Sequence, residues 1–367
     1  MKTFITKELY KSRKKIFFTR SILRWNEQVN KRCMPWKGEK DPYKIWLSEI
    51  ILQQTRVEQG RAYYEKFIKA FPTIQKLANA EDEKVFKLWE GLGYYSRCKN
   101  LLASARRIST DHDGKFPDTY NDIITLKGVG TYTAAAIASF AYNLPYAVVD
   151  GNVIRVLSRY FGISIPINEA LGKKLFQQIA SDCLPATKAG IYNQAIMDFG
   201  AVQCKPQSPF CLECPLQKKC FAYLNQAVAA LPVKKKSTKK KIRWFYFMVI
   251  HVGNKVYVRK RLAKDVWQNL FEYVGIEVSK EMDIPLFLKT KEFARIIGKG
   301  KGKIKVISKW YRQSLSHQTI YGRFIKITVD KPLASLQDFL LVKTDNLKNL
   351  PFPRLINSWH EEGSKKG

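Results

Sequence analysis

Apolar residues recur three and four positions apart through most of the first 225 or so residues. Between positions 43 and 71, Ile45, Ile50, Val57, Tyr64 and Ile68 share one helical face, and the pattern stops before Pro72. The same spacing predicts helices over 82–90, 97–110, 120–126, 132–142, 153–160 and 173–181, with no alternating strand pattern between them. Beyond position 244 the texture changes. The runs 244–252, 255–260, 273–278, 304–310 and 319–329 are short, β-branched and aromatic, and Gly, Asn and Asp divide them. The stretch joining the two textures, LPVKKKSTKKKIR at 231–243, is charged enough to stay extended and reads as a tether. The pattern therefore predicts a multidomain α and α+β protein. A helical domain fills 1–230, a basic linker 231–243, and a β-rich α+β domain 244–367.

Composition supports that division and adds a partner. At 367 residues the chain is too long for one ordinary core, and 46% hydrophobic content supplies more than one. Sixty-four Lys and Arg against 31 Asp and Glu leave a net charge of +33. A soluble surface ordinarily carries a smaller charge of mixed sign, whereas a protein that displaces counterions from a phosphate backbone needs such an excess. Nucleic acid is thus favoured over a merely solvated surface or an anionic membrane. The longest apolar run, 244–250, is far short of the roughly 20 residues a spanning helix requires. Positions 1–23 alternate Lys and Arg with aromatics and lack the apolar stretch of a signal peptide. A reducing cytoplasm is expected, nucleoid-associated in a bacterium, and there clustered cysteines bind metal more often than they pair. Cys33, Cys98 and Cys183 are scattered and read as buried structural thiols.

Four further strings carry chemistry. Cys204, Cys211, Cys214 and Cys220 form C-x6-C-x2-C-x5-C, a density that suits either tetrahedral zinc or an iron–sulfur cubane. In LKGVGTYTAA at 126–135, Gly128 and Gly130 lack a Cβ, so backbone N–H groups can approach a phosphate at a helix N-terminus; an ordinary helix corner would look the same. Asp150, in VVDGNV, reads as a helix N-cap, a position that also holds a carboxylate ionised. Glu49, in WLSEIILQQT, sits among apolar neighbours. It is either a solvent-facing helical Glu or a desolvated one, and desolvation makes a carboxyl a usable general acid.

Together these strings resemble the endonuclease III superfamily of DNA glycosylases, and within it the adenine DNA glycosylase (MutY) branch. The resemblance is close over about 20–225 and loose over 244–350. It implies a helix–hairpin–helix glycosylase domain made of a six-helix lobe (about 31–145) and a cluster lobe (1–30 and 146–230). The four cysteines would hold a 4Fe–4S cluster, with Lys205, Lys218 and Lys219 near DNA phosphates. Glu49 would protonate adenine at N7, Asp150 would stabilise an oxocarbenium-like sugar, and Tyr132 would assist. Because bifunctional members carry a Lys where this chain has Tyr132, the resemblance implies hydrolysis without strong strand cleavage.

Gln53, Gln54 and the string GLGYYSR at 91–97, with Tyr94, resemble the loops that wedge and probe the duplex. MPWK at 34–37 resembles the lesion-side loop, although Lys37 stands where Arg is common. Asn193-Gln194 matches the family's adenine-pocket segment, with Gln194 as a hydrogen-bonding partner for the base, and Leu315-Ser316-His317 resembles the Phe-Ser-His loop that reads 8-oxoguanine; a plain surface turn would also fit. The second domain faintly resembles a Nudix domain without its glutamate-rich helix, so it is expected to recognise and not to catalyse. The implied partner is duplex DNA bearing adenine opposite 8-oxoguanine or guanine, bound by a monomer. A bifunctional pyrimidine glycosylase–lyase and a non-catalytic cluster-bearing DNA-binding protein are the rival readings.

Overall fold

The computed structural model describes residues 12–234, 240–298 and 302–363. The chain divides into two compact units, Met1–Asn79 with Asn100–Ser237 and Ala80–Lys99 with Thr238–Gly367. A helical insertion from the first half of the chain thus clusters with the C-terminal strands, which the continuous helical pattern of the sequence does not foreshadow. The core of linker positions 235–239 lies outside the described residues, and Lys241–Arg243 are strand rather than tether.

The helices run in order α1 (Ser12–Gln28), α2 (Pro42–Leu52), α3 (Val57–Ala70), α4 (Ile74–Ala78), α5 (Asp82–Trp89), α6 (Tyr95–Asp111), α7 (Tyr120–Ile123), α8 (Thr131–Tyr142), α9 (Gly151–Phe161), α10 (Ala170–Cys183), α11 (Ala189–Asp198) and α12 (Phe221–Leu224). The single helix expected over 43–71 is two, α2 and α3, broken at Gln53–Arg56. Gln54 in that break adopts a left-handed φ of +57°. Apolar periodicity misses such a break because Ile50 and Val57, on either side of it, still fall seven positions apart.

Helix α2 starts cleanly: Asp41 accepts the Tyr43 N–H at 2.9 Å, and Pro42 occupies the first turn, where its missing N–H costs nothing. Every residue from Ile45 to Ile51 is then buried, Glu49 included. A helix buried all round cannot send a polar side chain to bulk water, so Glu49 must find its environment inside. Around the other helices, Phe18, Ile22 and Trp25 of α1 pack with Val156, Leu157 and Tyr160 of α9, Phe176 of α10 and Tyr192 of α11. Beyond α11 the chain makes a π-helical turn, Phe199–Gln203, that delivers Cys204.

The second unit is built on one eight-stranded sheet: β1 (Lys241–Val252), β2 (Lys255–Lys260), β3 (Phe271–Glu272), β4 (Val274–Val278), β5 (Lys303–Ile307), β6 (Tyr311–Ser314), β7 (Gln318–Val329) and β8 (Leu340–Lys343). The two long strands β1 and β7 pair in parallel over their full lengths, Lys241 opposite Gln318 through Val252 opposite Val329. The far edge of β1 is shared by β4 and β2, and that of β7 by β6 and β5, all antiparallel. Phe245–Ile250 is buried on both faces, as an unbroken apolar run in a central strand requires. Helices α13 (Ile284–Leu288), α14 (Lys291–Ile297) and α15 (Arg354–Gly363) complete this unit.

Candidate active site and nucleic-acid interface

Within the helical unit a cleft of about 510 Å³ is lined by Glu49, Gln53, Gln54, Tyr132, Asp150 and Gln194, together with Arg32 and Asn152. Residues from four separate sequence strings therefore converge on one concavity. The Glu49 side chain is only 6% exposed and hydrogen-bonds Tyr132. Burial pushes its carboxyl up to about 7, the Tyr132 hydroxyl pulls it down, and the Asp150 charge nearby raises it again. The Tyr132 phenol, driven well above its usual range by burial and by both carboxyls, stays neutral.

Asp150 caps α9 and is differently placed. It accepts the Val153 N–H at 2.7 Å and the Asn152 amide at 2.8 Å. Burial lifts its carboxyl, and those donors, with Arg155, oppose the lift by favouring the ionised form. The two acids thus have unlike surroundings, Glu49 with one phenol and Asp150 with a helix N-terminus and an amide. Asn152 in turn accepts from Arg155 Nη2 at 2.7 Å, and the same guanidinium donates to the carbonyls of Gly200 and Cys204, at 2.7 and 2.8 Å. Arg155 ties the cap of α9 to the start of the cysteine loop.

Asn193 and Gln194 part company. Asn193 is buried and fully occupied, donating to Ser139 and to the Tyr146 carbonyl while accepting from Val148. Gln194 lines the cleft. The Lys37 ammonium is engaged inward, with Asp198 Oδ2 and the Arg32 carbonyl each at 2.9 Å. Gln53 caps α2 and donates to Thr133 at 3.3 Å, while Gln54 is exposed in its left-handed turn.

Gly128 and Gly130 differ in what demands glycine. Gly128 has φ of +80°, and a Cβ there would stand 2.9 Å from the Asn100 Cβ. Gly130 is extended, at φ −97° and ψ 179°, and a Cβ there would meet nothing within 4 Å. No atom of the protein forbids a side chain at Gly130, which caps α8 at an exposed helix start.

Cys204, Cys211, Cys214 and Cys220 line one small cavity with Arg159 and Tyr160. Arg159 is 4% exposed and donates to the Lys205 and Pro206 carbonyls, with Nη1 3.5 Å from the Cys204 sulfur. Among the described residues, no three His, Cys, Asp or Glu side chains are grouped for a single metal ion. Of the remaining thiols, Cys98 and Cys183 are buried as expected, whereas Cys33 is exposed. Lys205 and Lys219 lie over the rings of Phe210 and Phe17.

In the second unit, Tyr94 has a left-handed φ of +47°, and its hydroxyl stands 2.5 Å from the Ser316 Oγ. Ser316 and His317 form the exposed tip of the hairpin between β6 and β7, closed by Leu315 N–H to the Gln318 carbonyl at 2.8 Å. The loop before α6 is braced: Trp89 Nε1 donates to the Gly93 carbonyl and Arg97 covers the Trp89 ring. Arg32, Asn152 and Asp198 join the site without having been expected from the sequence. The last had a signal, an amide–carboxylate pair one helical turn apart in NQAIMD at 193–198.

No helix among the described residues is long and apolar enough to cross a membrane. Residues 47–179 match the HhH-GPD superfamily base excision DNA repair proteins. An adenine DNA glycosylase of Buchnera aphidicola subsp. Baizongia pistaciae is 36% identical over 321 residues, 86% of this chain and 87% of the relative. The adenine DNA glycosylase of Homo sapiens is 39% identical over 214 residues, 56% of this chain and 39% of that one. Among solved structures, a thermostable thymine-DNA glycosylase aligns with a TM-score of 0.54 at 30% identity, covering 58% of this chain and 98% of its own. A non-covalent endonuclease III–DNA complex aligns at 0.51 and 18% identity, covering 59% of this chain and 98% of its own, a likeness of fold. With the Buchnera relative matched over nearly its whole length, the chain belongs to the adenine DNA glycosylase family.

Proposed function

We propose that this protein is a monofunctional DNA glycosylase that hydrolyses the N-glycosidic bond of adenine mispaired with 8-oxoguanine or guanine. The observation that carries the reading is the meeting of Glu49, Tyr132 and Asp150 at one cleft, with the two acids given unlike hydrogen-bond donors. Adenine extruded from the duplex enters that cleft. Glu49, held neutral by burial, gives its proton to N7; the bond from C1′ to N9 then breaks with its electron pair on the base. Asp150, supplied with N–H donors, faces the cationic sugar. Water adds at C1′ and gives up a proton, which restores the Glu49 carboxyl, and an abasic site remains. Tyr132 offers no amine for a Schiff base, so no covalent strand-cleaving step is available at this position.

The supporting interfaces follow the same reading. The N–H groups at the exposed start of α8 receive a backbone phosphate, and Gln53 and Gln54 hold the duplex open. Two non-glycine residues in left-handed conformations, Gln54 and Tyr94, are strained loop tips of the kind that persists where a ligand makes use of it. The Tyr94–Ser316 pair supports Ser316 and His317 as readers of the opposite base. The sheet-bearing unit, Nudix-like in this reading, recognises and does not catalyse. Cys204, Cys211, Cys214 and Cys220 fit a 4Fe–4S cluster, which takes one thiolate per iron, and the bound cluster would brace the loop after the π-helical turn.

Single-turnover release of adenine opposite 8-oxoguanine, guanine and thymine tests the assignment. Release should be fastest opposite 8-oxoguanine, and borohydride should trap no enzyme on DNA. A chain that releases thymine or another pyrimidine in preference to adenine refutes it.

A further inference from the structure

We propose that Asp198 is a positioning residue that sets which base the cleft accepts, by fixing the sense of the Gln194 carboxamide. The inference rests on the adenine reading and extends it to a residue outside the expected site. Asp198 closes α11 one turn after Gln194, and its side chain is wholly buried. Four side chains converge on it. Arg32 Nη1 and Gln194 Nε2 reach Oδ1 at 2.8 and 3.1 Å, and Lys37 Nζ and Asn30 Nδ2 reach Oδ2, both at 2.9 Å.

A carboxylate accepts hydrogen bonds and has none to give. The end of Gln194 that faces Asp198 must therefore be its amide nitrogen. Turned the other way, the amide would set two oxygens against each other with no proton between them. The remaining end, Oε1, is an acceptor on a side chain that lines the base cleft. An acceptor there suits a base with an exocyclic amino group and opposes one with a keto oxygen in the same place. A carboxamide left to itself could turn to serve either base, so the discrimination belongs to Asp198 acting through Gln194. Arg32 and Lys37 compensate the buried carboxylate, which explains why the Lys37 ammonium is drawn inward.

Duplexes carrying adenine, hypoxanthine (a keto group in place of the amine) or unsubstituted purine opposite 8-oxoguanine separate this role from general support. In Asp198→Asn the ratio of single-turnover rates, adenine over hypoxanthine, should fall about tenfold or more. The rate on purine should change by about threefold at most. Gln194→Met should produce the same fall, and the double variant no further one, because both act through one contact. Asp198→Asn with Lys37→Met keeps the local charge balance and decides the matter should the single variant not fold. An unchanged ratio in whichever of these folds, in Gln194→Met included, overturns the proposal. So does an equal loss on all three bases, which is what a merely structural residue would give. Failure of the unaltered protein to release adenine would instead reject the function proposed above, a distinct outcome.

Discussion

In the proposed mechanism Glu49 is the proton donor, and its burial gives the rate a pH signature. A carboxyl held near 7 is protonated below that pH and ionised above it. If it is the proton donor, the single-turnover rate falls as pH rises through about 7, and Glu49→Gln both lowers the rate at least about 100-fold and removes that limb. A rate–pH profile of the two proteins checks this. The same shift acts on stability with the opposite sense to an ordinary ion-paired carboxylate. The folded state binds the proton more tightly than the unfolded one, so stability is fullest below about 4.5 and declines as pH rises to about 7. Glu49→Gln should therefore raise the melting temperature at pH 8 by at least about 2 °C and have less effect at pH 5. For Asp150, replacement by Asn keeps a cap for α9 but no charge for the sugar. Excision should drop about 1,000-fold or more while duplex affinity, read by gel shift, stays within about threefold.

At the scale of elements, the turn from α7 into α8 makes opposite demands at its two glycines. Gly128→Ala meets both a left-handed backbone and the Asn100 side chain, and should destabilise the fold by about 1–3 kcal/mol in urea unfolding. Gly130→Ala meets no protein atom and should leave unfolding within about 0.5 kcal/mol, yet weaken duplex binding if, as proposed, a phosphate approaches through the space it fills. Equal stability losses in the two variants would remove the phosphate reading of this turn. The helix boundaries show where sequence patterning reaches its limit. Val153, Val156 and Tyr160 announced α9, and the helix extends only two residues earlier and one later than the spacing implied. The break between α2 and α3 went unannounced, because a left-handed Gln54 leaves the apolar period intact. Strands β2 and β7 were legible from alternation and β-branching. The brief β3, β6 and β8 were not, since two to four residues carry too little pattern to separate from loop.

For the whole molecule, a net charge of +33 predicts binding that weakens steeply with salt. The logarithm of duplex affinity should fall linearly with that of salt concentration, by about 100-fold or more between 50 and 200 mM. Isolated anaerobically, the chain should carry about four irons, and Cys214→Ser should lower both that content and the thermal stability; zinc in stoichiometric amount would reject the cluster. Length, composition and patterning by themselves determined that a helical and a β-rich part exist, that nucleic acid is the favoured partner, and that the cysteines form a local group. Each of these is a sum over composition or a spacing within about twenty residues, which a linear string records. Only the tertiary structure brought Glu49 and Tyr132, 83 positions apart, into one hydrogen bond, and only it moved Ala80–Lys99 into the sheet-bearing unit. Only it, too, turned Asp198 from the end of a helix into the common acceptor for Asn30, Arg32, Lys37 and Gln194. Burial and long-range convergence set these residues' chemistry, and both are properties of packing that no local pattern encodes.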